Sequence, residues 1–213
     1  MNISRENTYH LSEEQITVNW QHFLEGGSDA FGRIIACYYN GLFQYGMKIH
    51  ADSAFVEDCL QDMATTLWSK RQQLSRDVHV KGYLFKSLRH KMLRQLQTRK
   101  TQQQHLHLWL QGYQPPFNAE FSIESSIIDS DADSQRKQQL HACLQQLSHR
   151  QQEIIYLRYF QDLDHEQVAA IMKLSREATY NLLSATLKRL RSQWQLLPSA
   201  FSGWILFVLE KKI

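Results

Sequence analysis

The stretch LSHRQQEIIYLRYFQDLDHEQVAAIMKLSREATYNLLSATLKRLR, residues 147–191, decides the fold. It carries three helix starts in succession. Ser148 with Gln151 and Asp164 with Gln167 have the spacing of capping boxes, in which two side chains satisfy each other's orphan backbone N–H groups. Leu163 and Val168 stand where a hydrophobic staple closes over the second box. A short helix is predicted over 165–172, then a turn at Lys173 and Leu174, then Ser175 as the N-cap of a longer helix ending near Arg191. Short helix, tight turn and longer helix spell a helix-turn-helix, whose second helix fits the major groove of DNA. An ordinary helical hairpin that touches no DNA shares the pattern.

In the DNA-binding geometry the first turns of the second helix face the bases, which nominates Ser175, Arg176, Glu177, Thr179, Tyr180 and Asn181. Arginine can pair bidentately with guanine and asparagine with adenine. Tyr180 has core packing as its alternative. Lys188, Arg189 and Arg191 suit phosphate contacts, and they equally suit the negative end of the helix dipole.

Upstream, KGYLFKSLRHKMLRQLQTRK (81–100) is rich in Lys and Arg and holds no acidic residue. At 100° per residue Lys86, Arg89, His90 and Arg94 share one face, while Leu84, Phe85, Leu88 and Met92 fall on the other. One side of such a helix can be buried while the other lies along phosphates, each neutralised phosphate adding salt dependence. Tyr83 and Phe85 are platforms on which an unstacked base can rest, with core packing the preferred reading for Phe85. Before it, AFVEDCLQDMATTLW (54–68) sets Phe55, Cys59, Leu60, Met63 and Leu67 in one apolar stripe. Glu57, Asp58, Gln61 and Asp62 lie opposite, on a face that solvation alone would explain.

Eight glycines, three prolines and apolar residues recurring every three or four positions make the chain all-α. The exception, 98–135, is rich in glutamine, then carries Pro115 and Pro116, then turns acidic and serine-rich. It reads as a flexible linker. Two small helical domains are expected, 16–97 and 136–195, followed by an apolar tail at 196–213. The tail is expected to pack on the second domain, or else to dock a partner. Three dispersed cysteines with no CxxC fit neither a disulfide framework nor a zinc knuckle and suit a reducing cytoplasm. The first residues, with Arg5, Glu6, Glu13 and Glu14, do not read as a signal peptide, and no apolar run is long enough for stable membrane insertion. A net charge of +3 leaves any nucleic-acid surface to local placement.

Taken together, the two domains resemble the extracytoplasmic-function (ECF) sigma factors. VEDCLQDMATTLW (56–68) is similar to the family's polymerase-binding helix, YLFKSLRHKMLRQL (83–96) to its promoter-melting helix, and 147–191 to its upstream-element reader. The resemblance implies that Asp58, Gln61 and Asp62 meet core RNA polymerase. It implies that Tyr83, Lys86, Arg89, His90 and Arg94 serve the −10 side of promoter DNA, and that the helix after Ser175 serves the −35 side. It also implies that the loop 70–81 captures a flipped base, and that an anti-sigma factor is a further partner. The family's turn glycine is Lys173 here, and its commonly basic recognition-helix positions are Tyr180, Leu182 and Ala185. His105 with His107, and His141 with Cys143, lack the further ligands of a metal site. No phosphate-binding glycine loop or hydrolase motif occurs, so neither enzyme nor cofactor is expected. The rival function is a helix-turn-helix regulator acting on duplex DNA without polymerase. A protein-interaction module is the second rival, and it has no use for the acid-free basic helix.

Overall fold

A computed structural model describes residues 11–103, Phe117 and 142–194. Every secondary-structure element among the described residues is helical. The N-terminal half holds α1 (Glu13–Leu24), α2 (Ser28–Ile49), α3 (Ser53–Ser69), a 3-10 turn (Arg71–Gln73) and α4 (Val80–Gln103). The C-terminal half holds α5 (His149–Ile155), continued by a π turn (Tyr156–Phe160), then α6 (His165–Met172) and α7 (Arg176–Trp194). The tail 196–213, His105, His107 and His141, and most of the acidic stretch lie outside the described residues.

Local signals set the boundaries. Both predicted capping boxes form, with Gln151 N–H donating to Ser148 Oγ at 3.3 Å and Gln167 N–H to Asp164 Oδ1 at 2.8 Å. A third box at Ser12 and Gln15 starts α1. Asp52 caps α3, and Ser175 Oγ accepts from Ala178 N–H at 3.0 Å to open α7. Lys173 ends α6 in the left-handed region, at φ 54° and ψ 50°. A side chain there crowds its own carbonyl.

The apolar stripe of α3 is buried throughout, as are Leu84, Phe85, Leu88 and Met92 on α4. Phe85 is therefore a core residue. Trp20, Phe23, Phe31 and Trp68 pack ring against ring beside them, Phe23 and Phe31 stacked at 4.4 Å. Leu163 and Val168, the staple pair, are both buried. Helix α4 runs on to Gln103, into the stretch read as linker.

The two halves pack into one body. Helix α6 lies against α4, and two glycines permit the approach. A Cβ at Gly82 would stand 3.1 Å from Gln167 Cγ, and one at Gly41 would stand 3.2 Å from Gln161 Oε1. Tyr45 of α2 stacks on Tyr156 of the π turn at 6.1 Å, and Phe117 fills the angle between these rings. The Phe117 carbonyl lies 3.0 Å from His149 Nδ1, fixing this residue of the intervening stretch at the seam.

Candidate nucleic-acid interface

Helix α7 presents its first turns outward, on the far side of the leucines it packs against α5 and α6. Glu177, Tyr180, Asn181 and Lys188 are exposed, Tyr180 to 65%. Tyr180 thus faces outward instead of packing in the core, with the His165 ring 6.1 Å away. Arg176 is exposed and ion-pairs with Glu166 of α6, so a base must displace that carboxylate to reach it. Ser175 serves as the cap. Thr179 requires a correction: it is 1% exposed, and its Oγ1 donates to the Ser175 carbonyl at 2.9 Å. It lies four residues after Ser175, on the side of the helix turned to the domain core, and cannot touch a base as placed. Arg189 donates to the Gln146 carbonyl at 2.9 Å, joining the helix to the chain before α5.

On α4, Lys86, His90 and Arg94 are exposed as expected. Arg89, expected beside them, is instead buried and points across the seam between the halves. Its Nε donates to Glu153 Oε1 at 2.8 Å and a terminal nitrogen to Oε2 at 3.2 Å. Tyr45 donates its hydroxyl proton to the same Oε1 at 2.7 Å. The reason is geometric: Arg89 follows Phe85 by four positions and so leans to its side, and α4 is covered on two flanks, not one. Burial lowers the basicity of the Arg89 guanidinium, but the Glu153 carboxylate more than offsets it, holding the group above its ordinary range. Burial, reinforced by the Glu153 charge, raises the Tyr45 hydroxyl well above its own. The cluster is a charged pair and a neutral phenol sealed from water. Sequence reading missed it because Glu153 sits in an amphipathic helix where an acid is unremarkable, although buried Ile154 and Leu157 flank it.

Tyr83 is half-buried, edge-on to Trp20 at 5.8 Å, so it offers only part of its ring to a base. The loop before α4 is tied down at Trp20 Nε1, which donates to the Ser75 carbonyl at 3.1 Å, and at Arg71, stacked on Trp68 at 4.7 Å.

A groove of about 780 Å³ separates α3 from α4, with Asp58, Gln61 and Asp62 on one wall and His90, Lys91 and Arg94 on the other. Asp62 bridges it, pairing with Lys91 at 3.0 Å and accepting from Gln95 at 2.9 Å. Burial pushes the nearby Cys59 thiol up to about 11. On the α4 wall, burial lowers the His90 pKa, helped by the charges of Lys173, Arg94 and Lys86. Lys173 belongs to the helix-turn-helix turn, so cations from both halves converge there. Among the described residues no three His, Cys, Asp or Glu side chains gather as metal ligands, and no helix is long and apolar enough to cross a membrane.

Residues 143–192 match the family model "Sigma-70, region 4". Among solved structures, the chain is similar to CnrH, solved in complex with the cytosolic domain of CnrY, with a TM-score of 0.54 and 16% identity over 86% of this chain and 99% of that one. It is similar also to the sigma factor RpoE of Bartonella quintana, solved with the anti-sigma factor NepR, with a TM-score of 0.52 and 18% identity over 79% and 98%. No curated protein matches by sequence. The structural likeness is one of fold, and it runs through both halves.

Proposed function

We propose that the chain is an ECF-type sigma factor of the sigma-70 family, binding core RNA polymerase and directing promoter-specific initiation of transcription. The observation that carries this reading is the region 4 match over 143–192, folded as a helix-turn-helix with an outward-facing second helix. A likeness that extends through α1 to α4 favours it over a regulator working on duplex DNA alone.

The roles divide by charge. Asp58, Gln61 and Asp62 form the exposed acidic ridge offered to polymerase. Lys86, His90 and Arg94 form the cationic edge offered to the opened −10 side, where phosphate neutralisation supplies affinity. Arg176, Glu177, Tyr180 and Asn181 read the −35 side, with Lys188 and Arg189 near the backbone. In this reading domains 16–97 and 136–195 do the binding and the segment between them spans the promoter. The protein works by binding, without covalent chemistry, in the cytoplasm where polymerase is found. An anti-sigma factor is a further partner, as NepR is for RpoE in their structure.

Run-off transcription with core polymerase on a library of promoter fragments tests the proposal. Specific start sites that need both the chain and core enzyme are expected. A specific footprint from the chain alone, with no start site, would instead establish the regulator.

A further inference from the structure

The first turns of α7 form a reading surface with almost no uncommitted positive charge. Arg176 is held in an ion pair by Glu166 of α6. Glu177 is acidic and exposed, and the next exposed cation along the helix is Lys188, about three turns beyond Arg176. Discrimination between bases at this end of the helix therefore falls to uncharged side chains.

Tyr180 is the largest of them. Of the large apolar side chains exposed among the described residues it is also the most exposed. Its neighbours leave it reachable, since Ser184, one turn on, and Ala185 are small and exposed, and the phenol projects past them. On one side the His165 ring lies 6.1 Å away and limits where the phenol can swing. His165 Nδ1 is itself buried without a hydrogen-bond partner among the described residues, so packing, and not that nitrogen, sets the ring beside Tyr180.

Base edges in the major groove present donors and acceptors with one apolar exception, the C5-methyl group of thymine. An arginine at this place would seek guanine or a phosphate. The face of a phenol fits the methyl instead. Asn181, the adjoining residue and likewise exposed, carries the amide that pairs with adenine.

We propose that Tyr180 is a specificity-determining residue for the upstream element, reading the C5-methyl group of one thymine with its ring face. The proposal rests on the sigma-factor reading and deepens it, because it names the base chemistry that α7 selects.

Holoenzyme assembled from the full-length chain, with a promoter duplex taken from the run-off library, provides the test. Each thymine of the protected upstream element is replaced in turn by deoxyuridine, which removes the methyl group and keeps every hydrogen-bonding group. One position is expected at which the replacement weakens binding about fourfold, the worth of one methyl group withdrawn from water. Tyr180→Phe should keep that ratio, whereas Tyr180→Ala should bring it to about one, because a contact already gone cannot be lost again. Tyr180 is exposed, so both variants should melt as the wild-type chain does. Indifference to deoxyuridine at every thymine, or an undiminished ratio in Tyr180→Ala, would overturn the methyl contact while leaving the sigma-factor reading intact. A ratio lost in Tyr180→Phe would overturn it too, by assigning the contact to the hydroxyl. If the wild-type holoenzyme yields no specific start site, the sigma-factor reading falls first and the methyl contact with it.

Discussion

Arg89 and Glu153 lie 64 positions apart in the chain yet meet in a bidentate pair at 2.8 and 3.2 Å, each side chain at most 10% exposed. Removing one partner strands the other charge in a dry seam. Glu153→Ala should therefore lower the free energy of unfolding, read from urea titration, by up to about 3–5 kcal/mol if the halves stay together and by less if they part. Replacing both partners, Arg89→Met with Glu153→Leu, should recover most of the loss. A midpoint for Glu153→Ala within error of wild type would mean that the pair stabilises nothing.

That pair also marks the limit of what the sequence makes legible. Capping boxes, the α3 stripe and the helix-turn-helix are local, set by residues three or four apart, and each appears in the structure where its spacing puts it. Burial by a partner element is not local. Arg89 and Thr179 satisfy every periodicity rule for an exposed face and are nevertheless covered, one by α5 and the other by its own domain core. Gly41 and Gly82 were the available signal, two gaps in helix surfaces through which a second body could approach, but a lone glycine in a helix has many causes.

Lys173 holds φ 54° without being a glycine. The left-handed conformation costs a residue with a Cβ on the order of 1 kcal/mol. Lys173→Gly should raise stability by about that amount, measured from urea midpoints.

The acidic ridge on α3 predicts an asymmetry. Asp58→Lys with Asp62→Lys should weaken binding to core polymerase by at least about thirtyfold, a loss of about 2 kcal/mol or more, in line with reversing charges at a complementary interface. Both residues are exposed, so the thermal melt should move by no more than a few degrees. Fluorescence titration against core enzyme reads the first quantity and circular dichroism the second. Undiminished affinity in the double variant would remove the ridge from the polymerase interface.

Protonation gives a separate handle on stability. His90 is held below its ordinary value of about 6.5 by burial, then by Lys173 from the other half and by Arg94 and Lys86 on its own helix. On unfolding, Lys173 leaves and the imidazole regains basicity, so the unfolded chain binds more protons. Through this group, stability therefore rises with pH. Its contribution should be intact above about pH 6.5 and weaken as pH falls from there through the depressed His90 value. Urea midpoints should record that loss, and Lys173→Ala should flatten the dependence. Midpoints equally steep in pH for the wild-type chain and Lys173→Ala would contradict the influence of Lys173 on His90.

Salt dependence separates the cations of α4 by exposure. Lys86 and Arg94 are exposed. Lys86→Gln and Arg94→Gln should each reduce the slope of log affinity against log salt by about 1 when holoenzyme binds promoter DNA. Arg89 is available only once Glu153 has gone. If that pair parts in holoenzyme, Arg89→Gln lowers that slope by a similar amount, even though the residue is buried in the free protein. Because the slope counts phosphates neutralised and not the stability of the free chain, loss of the pair in this variant does not confuse the reading. A slope reduced by Lys86→Gln and Arg94→Gln but untouched by Arg89→Gln would place Arg89 still against Glu153 in the working complex.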